Sequence, residues 1–268
     1  MGNAAARDAM AATAEPGRGT SRAPVARVRR PREGYSFAAR VVGGVAGLGA
    51  ACGNSVFVLA GPLGSTLSAK ASYVSELEVG GEPASGLFRA FDIATGAMII
   101  AVALTLPTAL SARLAVRVVS VSLCGAGIAS IFDALNPMPC APSVDLRCRS
   151  YEETANLVVQ LQQGHTVSSV LGELAMFAAM SALAVVTWRG TNRRLARIAV
   201  GLGMGFAVSG LATVTLTLVG SQDVGAVERA QVAVESAWLA LLAVHVCTGN
   251  RRTRAGQYPQ PLAPHQRR

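Results

Sequence analysis

Apolar residues gather in six blocks, at 41–60, 93–110, 114–134, 166–188, 198–219 and 227–247, with polar residues collected between them. A helix needs about 20 residues, at about 1.5 Å each, to cross ~30 Å of hydrocarbon. Most of the blocks reach that length. The second is shorter, and the third carries Arg117, whose long side chain can snorkel towards headgroups. The pattern predicts an all-α fold, a polytopic membrane protein built as a bundle of six transmembrane helices. Residues 38–249 form this domain, between an Arg-rich disordered tail at 1–37 and a basic tail at 250–268.

Composition agrees with the pattern. Hydrophobic residues make up 51% of the 268 positions and charged residues only 15%, against about 25% charged in soluble domains. The net charge of +9 would fit nucleic-acid binding, but the placement of the charges points elsewhere. Of the 24 basic residues, 19 lie in the first forty residues, around Arg113/Arg117 and Arg189–Arg197, or in the tail; Lys70, Arg89, Arg147, Arg149 and Arg229 alone lie on the other side. On the basic side the acids are Asp8, Glu15 and Glu33. Basic residues mark the cytoplasmic side, so both termini are expected in the cytoplasm and no nucleic-acid partner is expected. The first 35 residues show no apolar core of a cleavable signal, and "MGNAAA" has Ala6 where a myristoylation site has Ser or Thr. With 23 Arg to a single Lys, the chain reads as a multi-pass protein of a bacterial plasma membrane from a GC-rich genome.

Small residues predict close helix contacts at Gly43/Gly47 and at Gly201/Gly205/Ser209, where spacing by four lets backbones approach in lipid. The expected outer connections are long at 61–92 and 135–165 and brief at 220–226. Long ordered loops serve binding or stability, which draws attention to the outer face. The second outer loop contains "CAPSVDLRC". Cys140 and Cys148 on the oxidising side are expected to form a disulfide, whereas Cys52, Cys124 and Cys247 lie in apolar spans. Zinc would require further Cys or His ligands nearby.

Three passages carry a resemblance: "SELEVGGEPASGLFRAFDIATG", "FDALNPMPCAPSVDLRC" with His165 behind it, and "GAVERAQVAVESAW". Together they resemble the bacterial membrane proteins grouped as domain-of-unknown-function family 998, over roughly residues 41–249. The recurring features are a Ser-Glu-Leu loop, a glycine in the second span, a histidine opening the fourth, and a Gly-x-x-x-Arg…Trp ending. Here they are Ser75, Glu76 and Leu77; Gly96; His165; and Gly225, Arg229 and Trp238. The resemblance implies a six-helix bundle and supplies no activity.

Glu173 lies eight residues beyond His165, and Glu235 eight beyond Val227. At about 1.5 Å per residue both fall roughly 12 Å below the outer boundary. A charged carboxylate near mid-bilayer costs about 2.5–3.5 kcal/mol on insertion scales, so both are expected to face the interior and to share a proton as a pair. Asp92, Asp133, His165, Glu228 and Arg229 lie nearer the surface, and with Ser75 and Glu76 they outline an outward vestibule. Each also has a plainer reading: interfacial acids in water, a helix-end histidine, and an arginine acting as polar glue between helices.

Two functional classes follow. In one the vestibule binds a lipid headgroup or small polar ligand, with proton-linked transport through Glu173 and Glu235. In the other His165, Asp92 and Asp133 hold a metal and hydrolyse a membrane lipid. Metal hydrolases usually use several histidines, and one is available on this side, so binding takes precedence over enzymatic activity. No cofactor is called for: the chain has no phosphate loop, no GxSxG elbow and no HExxH. A purely structural membrane role is the third reading.

Overall fold

The computed structural model describes residues 33–110, 114–154, 159, 162–188 and 193–248. Every regular element among them is helical. The long helices are α1 (Glu33–Asn54), α2 (Ser85–Ala109), α3 (Leu114–Leu135), α5 (Gly164–Trp188), α6 (Arg193–Leu218) and α7 (Val224–Thr248); α4 (Leu146–Thr154) is short. Two 3-10 turns, Val56–Leu59 and Ser75–Glu78, lie in the first long connection. The tails expected at 1–37 and 250–268 lie outside the described residues except for 33–37.

Among the described residues, α2, α3, α5, α6 and α7 are long and apolar enough to cross a membrane. The chain is thus built as an integral membrane protein. Helix α1, with 22 residues, measures roughly 33 Å at about 1.5 Å per residue. It is not among the five found in the described residues, and its run carries Arg40 and ends on the polar Asn54. The first apolar block also breaks earlier than its hydropathy predicts. The α-helix ends at Asn54, and residues 56–59 continue as a 3-10 turn. The second element departs in the opposite direction. Helix α2 begins at Ser85, so Arg89 and Asp92 stand on its first turns rather than in a loop.

Each long helix packs against its neighbours in the chain, and α7 returns to pack against α1, which closes a ring. The centre is filled by fully buried Leu106, Leu123, Met180, Trp238, Leu239, Leu242 and Val246. Large apolar side chains such as Val121, Leu174, Met204, Val208 and Leu211 are left exposed on the outside, the inverse of what water permits in a contiguous band and what a lipid solvent favours.

Glycines set the closest contacts. A Cβ on Gly96 would stand 2.6 Å from the Gly127 carbonyl oxygen, and one on Gly127 would stand 2.5 Å from that of Gly96, so α2 and α3 meet backbone to backbone. Gly43 and Gly47 likewise press on Thr105 of α2 and Ala243 of α7. The second predicted series behaves otherwise. Gly201 has nothing within 4 Å of its notional Cβ, Gly205 makes ordinary contact with Val234, and Ser209 bonds back to its own helix at Gly205. Close packing requires a neighbouring helix against the small residues, and none approaches α6 at Gly201.

Candidate functional site

The first long connection is drawn inward onto the start of α7. Gly225 lacks a Cβ where one would stand 2.2 Å from the Ser72 carbonyl oxygen. One turn on, the Arg229 guanidinium donates to that same oxygen at 2.6 Å and to the Gly225 carbonyl at 3.0 Å. The Ala226 N–H donates to the Lys70 carbonyl at 3.1 Å, and the Val74 N–H donates to Glu228 Oε2 at 2.7 Å. The Gly-x-x-x-Arg spacing is thus a seat for the loop: the glycine admits a carbonyl, and the arginine holds it.

Glu76 fastens the first long connection to the second. It is fully buried. Its Oε1 accepts from the Tyr73 N–H at 3.0 Å, and its Oε2 accepts from the Ser143 N–H at 3.2 Å and from the Ser143 hydroxyl. Ser143 also meets the Ser72 hydroxyl at 2.8 Å. It lies between Cys140 and Cys148, which are joined as a disulfide with Cα atoms 6.1 Å apart. From behind, Arg149 donates to the Pro142 and Ser143 carbonyls. Ser75 contributes a contact with the Met138 sulfur at 3.4 Å, and Leu77 packs with Val56 and Phe88 in a separate apolar cluster. The Ser-Glu-Leu triplet therefore closes the loops over the helix ends.

Beneath the loops lie two groups of polar side chains. In the first, Glu78 and Asp92 face each other within reach of Arg89 and Asp133. Burial first, then the Asp92 and Asp133 carboxyls, push the Glu78 carboxyl up to about 10, with Arg89 opposing. Arg89 itself donates to the Ala134 carbonyl at 3.0 Å. Asp133 receives the Ser168 hydroxyl at 2.5 Å and the Ser169 hydroxyl at 3.2 Å. The His165 Nδ1 stands 3.0 Å from Asp133 Oδ1 but is not aligned for a hydrogen bond. His165 and Asp133 therefore do come together across α3 and α5.

The second group spans α1, α5, α6 and α7. Glu173 accepts from Gln231 Nε2 at 2.5 Å, and Gln231 Oε1 accepts from the Thr213 hydroxyl at 3.3 Å. The hydrogen-bond partner of Glu173 is thus Gln231 rather than Glu235, although the two acids are within electrostatic range of one another. Glu173 itself is exposed, on the flank of α5, whereas Gln231 is buried and Glu235 half-buried. Glu235 lies beside Asn54, whose amide donates to the Val232 carbonyl at 3.4 Å and the Ser236 hydroxyl at 3.3 Å.

These groups form one electrostatic chain. Glu76 and Glu173 act on Glu228, Glu173 and Asp92 act on Glu235, and Asp92 and Asp133 act on Glu78. The cations beside them are Arg229, Arg89 and, when protonated, His165. Among the described residues no group of three His, Cys, Asp or Glu side chains is placed to hold a metal ion. An apolar hollow lined by Ala184, Val185, Trp188 and Val200 lies at the far end of α5 and the near end of α6, remote from this chemistry.

The description "Protein of unknown function (DUF998)" matches residues 48–245. The chain belongs to the DUF998 family. No curated protein and no solved structure matches it. The DUF998 match runs from within α1 to the last turns of α7, so it contains the whole polar layer and both long connections. Sequence reading of this DUF998 protein missed Glu78, Gln231, Asn54, Ser72 and Ser143. Gln231 had a signal, since it precedes Glu235 by four residues and so shares its helix face. Ser72 and Ser143 had none, because their roles depend on how two distant loops meet.

Proposed function

We propose that this DUF998 protein crosses a bacterial plasma membrane six times, with both termini cytoplasmic, and binds a small polar ligand or lipid headgroup beneath its outer loops. Protonation through Glu173 and Glu235 is linked to that binding. On this reading the sixth span is α1, supported by its packing against both α2 and α7. The orientation follows from the basic residues, 19 of which fall on one side. The observation that carries the binding reading is the connected chain of seven carboxyls (Glu76, Glu78, Asp92, Asp133, Glu173, Glu228 and Glu235) at one end of the ring. So many acids beside so few cations cannot all remain ionised in a medium of low dielectric. Protons or a cationic ligand must complete the balance, and intramembrane acids mark pathways and sites.

The test is a stabilisation screen on purified protein in detergent, with amino alcohols, amino acids, sugars and phosphatidylethanolamine headgroup analogues, at mildly acidic and mildly basic pH. At least one should raise the melting midpoint in a pH-dependent way. Glu173→Gln should fold and insert as wild type, since the amide preserves the contact with Gln231, but should abolish that pH dependence. Glu173→Leu should lose the ligand response as well. A panel without effect at either pH would contradict the reading.

A further inference from the structure

The end of α1 meets the polar layer at a place the paired acids do not explain. There α1 packs against α2 through Gly53 and Thr95 and against α7 through the Asn54 amide on Val232 and Ser236, with Asp92 one turn before Thr95 and Glu235 next to Ser236. The Thr95 hydroxyl is pressed on α1, 2.2 Å from where a Gly53 Cβ would stand. Thr95 is only 2% exposed, and its Oγ1 has no hydrogen-bond partner among the described residues. That is unusual, because a threonine in a helix can ordinarily bond back to its own carbonyls, as Thr105, Thr187 and Thr215 do here. A buried hydroxyl without a partner costs free energy and calls for an explanation.

The surroundings supply one. Asp92 is one turn before Thr95 on α2, Asn54 follows Gly53, and Asn54 lies beside Glu235. Glu235 and Asp92 are within electrostatic range of each other. Helix α1 terminates at Asn54, so the negative end of its dipole faces the same point. Asp92, Asn54 and Glu235 are half-buried rather than sealed. Two carboxyls, an unpartnered hydroxyl oxygen, an amide oxygen and a helix C-terminus together offer oxygen and negative potential. A divalent cage is not the fit, since no three acidic, His or Cys side chains converge among the described residues. Neutral oxygens with one or two carboxylates suit a monovalent cation, as half-helix C-terminal ends do in other membrane settings.

We propose that a monovalent cation, Na+ or a primary ammonium group, binds at the C-terminal end of α1, held by Asp92, Thr95, Asn54 and Glu235. This rests on the polar-layer reading above but is separable from it, because Glu173 and Gln231 take no part.

The experiment uses the full chain in detergent at constant ionic strength, with choline chloride as the filler salt. The melting midpoint is followed as NaCl, methylammonium chloride or KCl replaces choline. Saturable stabilisation by Na+ or by methylammonium is expected, and the arm that responds at lower concentration names the source. Thr95→Val should weaken the response roughly tenfold, the worth of one buried hydrogen bond or ion contact. Thr95→Ser, which keeps the hydroxyl, should retain it and guards against a mere folding defect. Glu235→Gln should remove it, while Glu173→Gln should leave it in place. A wild-type midpoint indifferent to all three cations overturns the proposal, as does a response that Thr95→Val leaves unchanged. If the cations fail but a polar ligand still stabilises in a Glu173-dependent way, this inference alone falls. If cations and ligands both fail, the polar-layer reading falls with it.

Discussion

Glu78 shows how one residue can set a pH response. It belongs to the 3-10 turn Ser75–Glu78 in the first long connection, outside the spans, and is buried. Burial and the facing Asp92 and Asp133 carboxyls raise its titration to about 10, from an ordinary 4.5, with Arg89 opposing. A carboxyl raised on folding binds its proton more tightly when folded. Its contribution is therefore complete below the ordinary value and is lost as pH climbs towards about 10, at up to about 1.4 kcal/mol per pH unit. Raising pH from about 6 to about 9 should lower the melting midpoint of wild type clearly and that of Glu78→Gln much less. Equal slopes for the two would contradict the assignment. The sequence made Glu76 a candidate and passed over Glu78, two residues on. Hydropathy reads both as loop acids, and only the inward fold of the loop separates the clasp at Ser143 from the partner of Asp92.

At the scale of elements, hydropathy located the helices but misplaced their ends. Helix α2 gains its first turns from a mixed stretch, in which Ser85, Arg89 and Asp92 interrupt Leu87, Phe88 and Phe91, and α1 loses its last residues to a 3-10 turn. Glycine spacing proved informative only where a neighbouring helix lies against it, as at Gly43 and Gly47. Gly96→Ala should therefore destabilise the α2–α3 crossing by about 1–3 kcal/mol, the usual range for overpacking. Gly201→Ala, with nothing within 4 Å, should be neutral or slightly stabilising through helix propensity. Melting midpoints of the two variants check the contrast, and a Gly96→Ala protein as stable as wild type would sink it. The disulfide was legible from two cysteines in one loop. Its consequence was not, because the Ser143 it brackets meets Glu76 across 67 residues of sequence. Peptides of unreduced protein should carry Cys140 and Cys148 linked, and reduction should cost about 2–3 kcal/mol of local stability, seen as faster proteolysis of the second long connection. Free thiols at both positions in freshly isolated membranes would contradict the pairing.

For the molecule as a whole, the ring explains why acids recur on several spans without any one span being an ion-binding helix. Each helix needs only one or two polar residues at one end, and ring closure by α7 on α1 turns those into a common layer. The loops above are fastened by Glu76 and by Gly225 with Arg229, so the polar layer and the two long connections share one end of the bundle. The central claim is that this end faces away from the cytoplasm. Thiol labelling in intact cells tests it most directly, after Cys52, Cys124 and Cys247 are replaced. Val144, beside the Ser143 clasp, is 60% exposed, and Ala255 lies in the basic tail outside the described residues. A membrane-impermeant reagent should modify Val144→Cys and leave Ala255→Cys untouched until the cells are broken. Modification of Ala255→Cys in intact cells, with Val144→Cys protected, would invert the protein and contradict the account.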